Sequence, residues 1–247
     1  LIIDGHIHAG HWSPGKFLGR GVPFSEMEQC LGECGIDGAV LTTTDLRENV
    51  TVGEFVRQAR DKRYWFFPWI NPGLPGEMEY LKAHRKDLHG IKFHPSCDRV
   101  RITDRRTDPF IDFALDQRLP VIVHCGRWQE MSSYAYALEA AAAHPGVSFV
   151  LSHMGGDTPD LEMATIESVG RAQLGNVFLG IEGVREYWAV QRAVDDLGAD
   201  RVIFGSDYPL GHPRMYLGLV DALRLSEDQR ALVLGGNVLR LLGETAG

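Results

Sequence analysis

Eight short apolar runs recur along the chain, each followed by a longer amphipathic stretch. The runs are Leu1–Ile3 leading into Asp4–Ala9, then Ala39–Thr43, Trp65–Asn71, Gly90–His94, Pro120–His124, Ser148–His153, Val177–Glu182 and Val202–Asp207. They are rich in Val, Ile and Phe, and most do not alternate apolar with polar, as expected of parallel strands covered on both faces. The stretches between them carry helix signals. Ser25–Glu28 and Thr51–Glu54 read as capping boxes, an acceptor followed three residues later by Glu. Asp108-Pro109 places proline where a first helical turn accepts it. Ser132–His144 is alanine-rich and is stopped by Pro145-Gly146. Ser226–Gln229 predicts the start of a last helix running to about Leu242.

Eight strand–helix alternations predict an α/β fold, a (β/α)8 TIM barrel. The 247 residues allow about 31 per unit, the size of one strand–helix repeat. An open doubly wound sheet is the alternative, but no G-x-G-x-x-G turn follows the first run. No composition shift or Ser/Gly linker divides the chain, so residues 1–247 read as a single domain.

The net charge of −8 gives no basic patch for nucleic acid and no attraction to an anionic membrane surface. No apolar stretch is long enough to predict a membrane span. The first residues, Leu1-Ile2-Ile3-Asp4, lack the basic and apolar segments of a signal peptide, although the chain does not begin with Met. Four cysteines (Cys30, Cys34, Cys97 and Cys125) are too few for a disulfide scaffold, and their spacing is not that of a zinc ribbon. They read as reduced thiols, and the expected location is cytoplasmic. The expected partner is a small-molecule substrate; the oligomeric state stays open, a homo-oligomer included.

Metal-capable side chains stand at the ends of the apolar runs: His6 and His8, Lys92 and His94, His124, His153, Glu182 and Asp207. In a barrel those ends converge on one face, where active sites form. His6 and His8 are two apart, so a strand presents both on one side. With His124 and Asp207 they make three imidazoles and a carboxylate, a set suited to one divalent cation, zinc first, with Mn, Fe, Co or Ni as alternatives. Such a metal activates water as a nucleophile. His153 is the candidate general acid/base, with a second ligand or a structural histidine as its other readings; Asp207 is counted as both ligand and catalytic carboxylate. Lys92 is expected to bind substrate or an oxyanion, to be carbamylated, or simply to pair with Glu182 or Asp207. His94, Arg127 and Trp128 are the remaining candidates for substrate binding; a guanidinium beside an aromatic ring suits a planar carboxylated substrate. Cys125 should point away from His124, since adjacent strand residues face opposite sides.

These segments together resemble a known family. Ile3-Asp4-Gly5-His6-Ile7-His8, Gly90-Ile91-Lys92-Phe93-His94-Pro95, Val121-Ile122-Val123-His124-Cys125-Gly126, Phe149 to Gly156, Phe204-Gly205-Ser206-Asp207-Tyr208-Pro209 and the tail Leu234 to Leu242 follow in the order of the amidohydrolase superfamily. The chain is most similar to its amidohydrolase-related branch, which includes aminocarboxymuconate-semialdehyde decarboxylase-like proteins. The resemblance implies a TIM barrel, a metal held by His6, His8, His124 and Asp207, and His153 as general acid/base. It also implies one of several reactions, because the branch contains carbon–oxygen and carbon–nitrogen hydrolases, lactonases and non-oxidative decarboxylases. The expected activity is hydrolysis of a small carboxylated ester, lactone or amide. Decarboxylation of a small unsaturated or aromatic carboxylic acid is the first alternative, and a non-catalytic metal-binding barrel the second. Two strand-to-helix loops, 10–23 and 95–107, are long enough to shape specificity.

Overall fold

A computed structural model describes residues 1–15, 21–60 and 62–244. All eight predicted runs form strands: β1 (Ile3–Ala9), β2 (Gly38–Thr43), β3 (Arg63–Phe66), β4 (Ile91–Phe93), β5 (Val121–Val123), β6 (Phe149–Leu151), β7 (Val177–Gly180) and β8 (Val202–Ile203). Every pairing between successive strands is parallel, in the orders β1-β2-β3 and β4 to β8. Backbone hydrogen bonds close the two gaps. Lys92 N donates to Pro68 O and Ile70 N to Lys92 O, both at 2.9 Å, joining β3 to β4. Gly5 N donates to Phe204 O at 2.8 Å and Asp207 N to His6 O at 2.9 Å, joining β8 to β1. A helix follows each strand, and the result is a TIM barrel.

The strand period of two sorts the core into two layers. Leu41, Phe66, Phe93, Val123, Leu151 and Leu179 pack outward under the helices. Ile3, Val40, Trp65, Ile122, Val150, Phe178 and Ile203 form a separate cluster within the barrel, closed below by Val238 and Leu239. Two positions further along the same faces stand Thr42, His124, Ser152 and Gly180. One end of the barrel is thus apolar and the other polar, and the polar end is where the strands finish. Cys125 lies in the outer layer, facing away from His124 as alternation requires.

Several boundaries differ from the pattern. The third run stops at Phe66 as a strand because Pro68 has no N–H to donate. The other functional runs end one to four residues early, so His94, His124, His153, Glu182 and Asp207 stand just beyond their strands. The expected capping boxes at Ser25 and Thr51 do not form. Helix Phe24–Glu33 starts after Pro23, which leaves Ser25 inside the first turn. Helix Asn49–Gln58 starts two residues before Thr51 because Asn49 turns inward, accepting from Trp69 N (3.2 Å) and donating to Trp69 O (3.0 Å). The boxes differ at Ser226, where both reciprocal bonds are present. The last helix is interrupted by a wider turn at Leu232–Gly236, and Gly235 lies so close to strand β1 that a Cβ would meet Ile3 at 3.0 Å. Loop 95–107 opens with a helical turn, Pro95–Asp98. Loop 10–23 includes residues 16–20, which lie outside the described residues. Among the described residues no helix is long and apolar enough to cross a membrane.

Candidate active site

Asp4 sets the frame for the first ligands. Its buried Oδ1 accepts from His6 N (3.2 Å) and from Ser206 N (3.0 Å), tying the irregularity in β1 to the segment after β8. His6, His8 and Asp207 are brought together by this seam; one donor atom from each lies within 4.8 Å of the others, and all three are buried. His8 Nδ1 is 2.7 Å from the carbonyl of Thr43, which can only accept, so that nitrogen carries the proton. In the neutral ring, Nε2 then directs a lone pair towards Asp207 Oδ1, 3.2 Å away. The contact does not have hydrogen-bond geometry, and Asp207 Oδ1 is a buried atom with no hydrogen-bond partner. Two lone pairs facing each other in a buried site repel unless a cation lies between them. Their separation matches the edge of a tetrahedron with zinc–nitrogen and zinc–oxygen bonds, about 3.3 Å. The residues present therefore fit a divalent cation.

The rest of the cluster supports that set. Burial holds the His6 and His124 rings well below the ordinary imidazole range, and so neutral. Burial pushes Asp207 up, but contact with His8, and then the charges that His8, His6 and His153 carry when protonated, bring the carboxyl below its ordinary range. His6 has both nitrogens engaged: Nδ1 donates to Glu182 Oε1 at 2.9 Å, and Nε2 is 3.2 Å from Lys92 Nζ. Nδ1, 4.0 Å from Asp207 Oδ1, keeps its proton for Glu182, so His6 would bind a cation through Nε2 by exchanging its contact with Lys92. His124 stands outside the trio. Its Nδ1 is 3.3 Å from His153 Nε2, and its ring stacks on His94 with centroids 3.7 Å apart. His153 is fixed from behind by Nδ1–H donating to the Glu182 carbonyl at 2.8 Å.

Strain marks the same residues. His153, Met154 and Asp207 adopt left-handed backbone conformations, with φ of 57°, 50° and 57°. Each costs a non-glycine residue about 1–2 kcal/mol, and such outliers gather where side-chain placement matters.

A cavity of about 390 Å³ opens over the cluster, lined by His8, Trp12, His94, Cys97, His124, His153, Asp207 and Leu210. Trp69 stacks on His94 with centroids 4.7 Å apart, so Trp69, His94 and His124 build one flat aromatic column. Lys92 does not line the cavity. It is fully buried beneath His6, donates to Ser152 Oγ at 3.0 Å, and feels the charges of Glu182 and Asp207; burial brings it down to about 8. Arg127 and Trp128 do not line it either. Arg127 is exposed and pairs with Asp157 at 2.7 Å, while Trp128 lies under the Arg99 guanidinium. Glu182, singled out from the sequence only as a strand-end carboxylate and possible partner of Lys92, has a larger role, because its carboxylate orients His6 and its carbonyl orients His153. Its position at the end of the seventh run was the available signal. Trp12 and Trp69 carried none.

No curated protein matches the chain. Solved structures share its fold from end to end. An amidohydrolase from Burkholderia multivorans with bound zinc is 17% identical, with 99% of each chain covered and a TM-score of 0.81. A dihydroxybenzoic acid decarboxylase from Polaromonas sp. with bound manganese and the inhibitor 2-nitroresorcinol is 15% identical, covering 98% of this chain and 96% of that one, with a TM-score of 0.77. A probable 2-pyrone-4,6-dicarboxylic acid hydrolase from Acinetobacter baumannii with citric acid bound is 14% identical, covering 98% and 99%, with a TM-score of 0.74. The family model described as amidohydrolase matches residues 3–243, and with nearly the whole sequence accounted for, the chain belongs to the amidohydrolase family of enzymes.

Proposed function

We propose that the protein is a metal-dependent hydrolase of a small, planar, carboxylated ester, lactone or amide. The observation that carries this reading is that a locked histidine, His153, and a carboxylate with an orphaned buried oxygen, Asp207, line the same cavity. A divalent cation, zinc first, held by His6, His8 and Asp207 with His124 as the fourth ligand, supplies Lewis-acid polarisation of the substrate carbonyl and a more acidic water. The protein's own groups do the rest. The Glu182 carbonyl keeps the proton on His153 Nδ1, which leaves Nε2 as the atom that takes a proton from the attacking water and returns it to the leaving group. The ring of His124, 3.3 Å away, holds that nitrogen in place. Lys92 balances the buried carboxylates of Glu182 and Asp207 from below. The rings of Trp12, His94 and His124 line the cavity and would help exclude water around a planar substrate.

The aromatic rings in the lining, Trp12, His94 and His124, favour a second reading, non-oxidative decarboxylation of an aromatic acid, with His153 delivering the proton to carbon. The dihydroxybenzoic acid decarboxylase among the similar folds acts on such a ring. One experiment separates the two. Metal-loaded enzyme is incubated with a panel of lactones, esters, amides and hydroxylated benzoic acids in oxygen-18 water. Hydrolysis incorporates the label into product without loss of carbon; decarboxylation releases CO2 without incorporation. His153→Ala is expected to keep the metal and lose the rate by about 10²–10⁴-fold, the contribution of a positioned acid/base. Full activity in that variant would overturn both readings.

A further inference from the structure

A second group of metal-capable side chains lies outside the cavity just described. Cys30 and Cys34 stand one turn apart at the end of helix Phe24–Glu33. His212 comes from the segment after β8, where it caps helix Pro213–Asp221. One donor atom from each of the three lies within 4.8 Å of the others. Cys30 Sγ is 3.8 Å from His212 Nε2. With zinc–sulfur and zinc–nitrogen bonds of about 2.3 and 2.05 Å, a tetrahedral edge between S and N is about 3.6 Å, so the approach is already close to a coordination edge. A cavity of about 380 Å³ opens beside the group, lined in part by Cys30, His212, Tyr208 and Glu33, with room for a fourth donor such as water.

We propose that Cys30, Cys34 and His212 form a second metal site for a thiophilic divalent cation, Zn2+ in particular. The cysteines bind as thiolates, releasing two protons to solvent, and the histidine binds through Nε2 of a neutral ring. That ring must carry its proton on Nδ1, so coordination exchanges the weak cap in which Nδ1 accepts from Arg214 N at 3.3 Å. Arg214 holds the same two segments together independently, donating from Nη2 to Glu33 O at 3.0 Å. The site would brace the first helix against the segment that follows Asp207. Trp12 and Leu210 line both cavities, so that brace abuts the mouth of the candidate active site.

The test is Co2+ titration of the full, reduced chain, followed by absorption. The group proposed for catalysis has only nitrogen and oxygen donors, whereas this one has sulfur. Saturating Co2+ is expected to produce sulfur-to-cobalt charge-transfer absorption in the near ultraviolet. The band should be lost in Cys30→Ser and in Cys34→Ser and retained in His8→Ala and in Asp207→Asn. Absence of the band in the wild-type chain would overturn the proposal. So would an unchanged band in the Cys30→Ser/Cys34→Ser double variant, because the sulfur would then belong to Cys97 or Cys125.

Discussion

Gly183→Ala tests how tightly the proposed acid/base is held. Gly183 follows Glu182, has φ of +79°, and donates its N–H to the Tyr216 hydroxyl at 2.9 Å. A Cβ there would sit 2.4 Å from His153 Nδ1 and 3.2 and 3.3 Å from Cε1 and Cγ, where ordinary contact begins at 3.4 Å. Either the ring or the loop must move by about 1 Å. The loop resists because it carries the Glu182 carbonyl, and the ring resists because His153 is itself in a left-handed conformation and buried. Two terms add up. A left-handed alanine costs about 1–2 kcal/mol, and losing the hydrogen bond from Nδ1 costs about 0.5–1.5 kcal/mol. The variant should therefore be about 1.5–3.5 kcal/mol less stable in urea unfolding. A displacement of this size in a catalytic group costs about 10²-fold in kcat, or about 2.7 kcal/mol of barrier. The assay is kcat at saturating substrate, alongside metal content and the imidazole N–H resonance of His153 by NMR. The reasoning is refuted if kcat stays within about threefold of wild type and that resonance is unchanged.

Glu182→Gln removes the charge that orients His6 while keeping the shape; metal affinity by chelator competition should fall about 10–100-fold, the usual cost of losing a ligand's supporting carboxylate. Asn237→Ala deletes two buried bonds from Nδ2, to Ala199 O at 2.8 Å and Val202 O at 2.7 Å; denaturant unfolding should show a loss of about 1–3 kcal/mol with metal binding unaffected. Glu162 is pushed up to about 7 by burial and by Glu186, and its Oε2 is buried without a hydrogen-bond partner. Its folded pKa lies above its unfolded value, so its contribution to stability is complete below about 4.5 and is lost as pH rises through about 7. Glu162→Gln should flatten that decline and leave the variant more stable than wild type at pH 8; a parallel decline in both proteins would refute the assignment.

The barrel was legible because each strand is a short apolar run and because a period of two puts His124 and Ser152 directly above Ile122 and Val150. The histidines were legible for the same reason. Strand ends were not, because pairing stops where the chain diverges towards the mouth, and sequence carries no mark of that except Pro68. Contacts made by turning a side chain against expectation were hidden. Asn49 reaches inward to Trp69, and Arg127 turns outward to Asp157. Long-range juxtaposition was hidden too: spacing alone relates Cys30 and Cys34 to each other, but not to His212. Glu182 was visible as a strand-end carboxylate, but its two jobs use different atoms of one residue, and only coordinates separate them.

The claim that matters most is that His8, Asp207 and His6 share a cation. Anomalous diffraction at the zinc edge, from crystals of the full chain grown with Zn2+, tests it directly. The account predicts a peak between His8 Nε2 and Asp207 Oδ1, at bonding distance of about 2.0–2.2 Å from each and in contact with His6. Electron density that leaves that gap bare at full zinc saturation, with His8 doubly protonated and donating to Asp207, would contradict it.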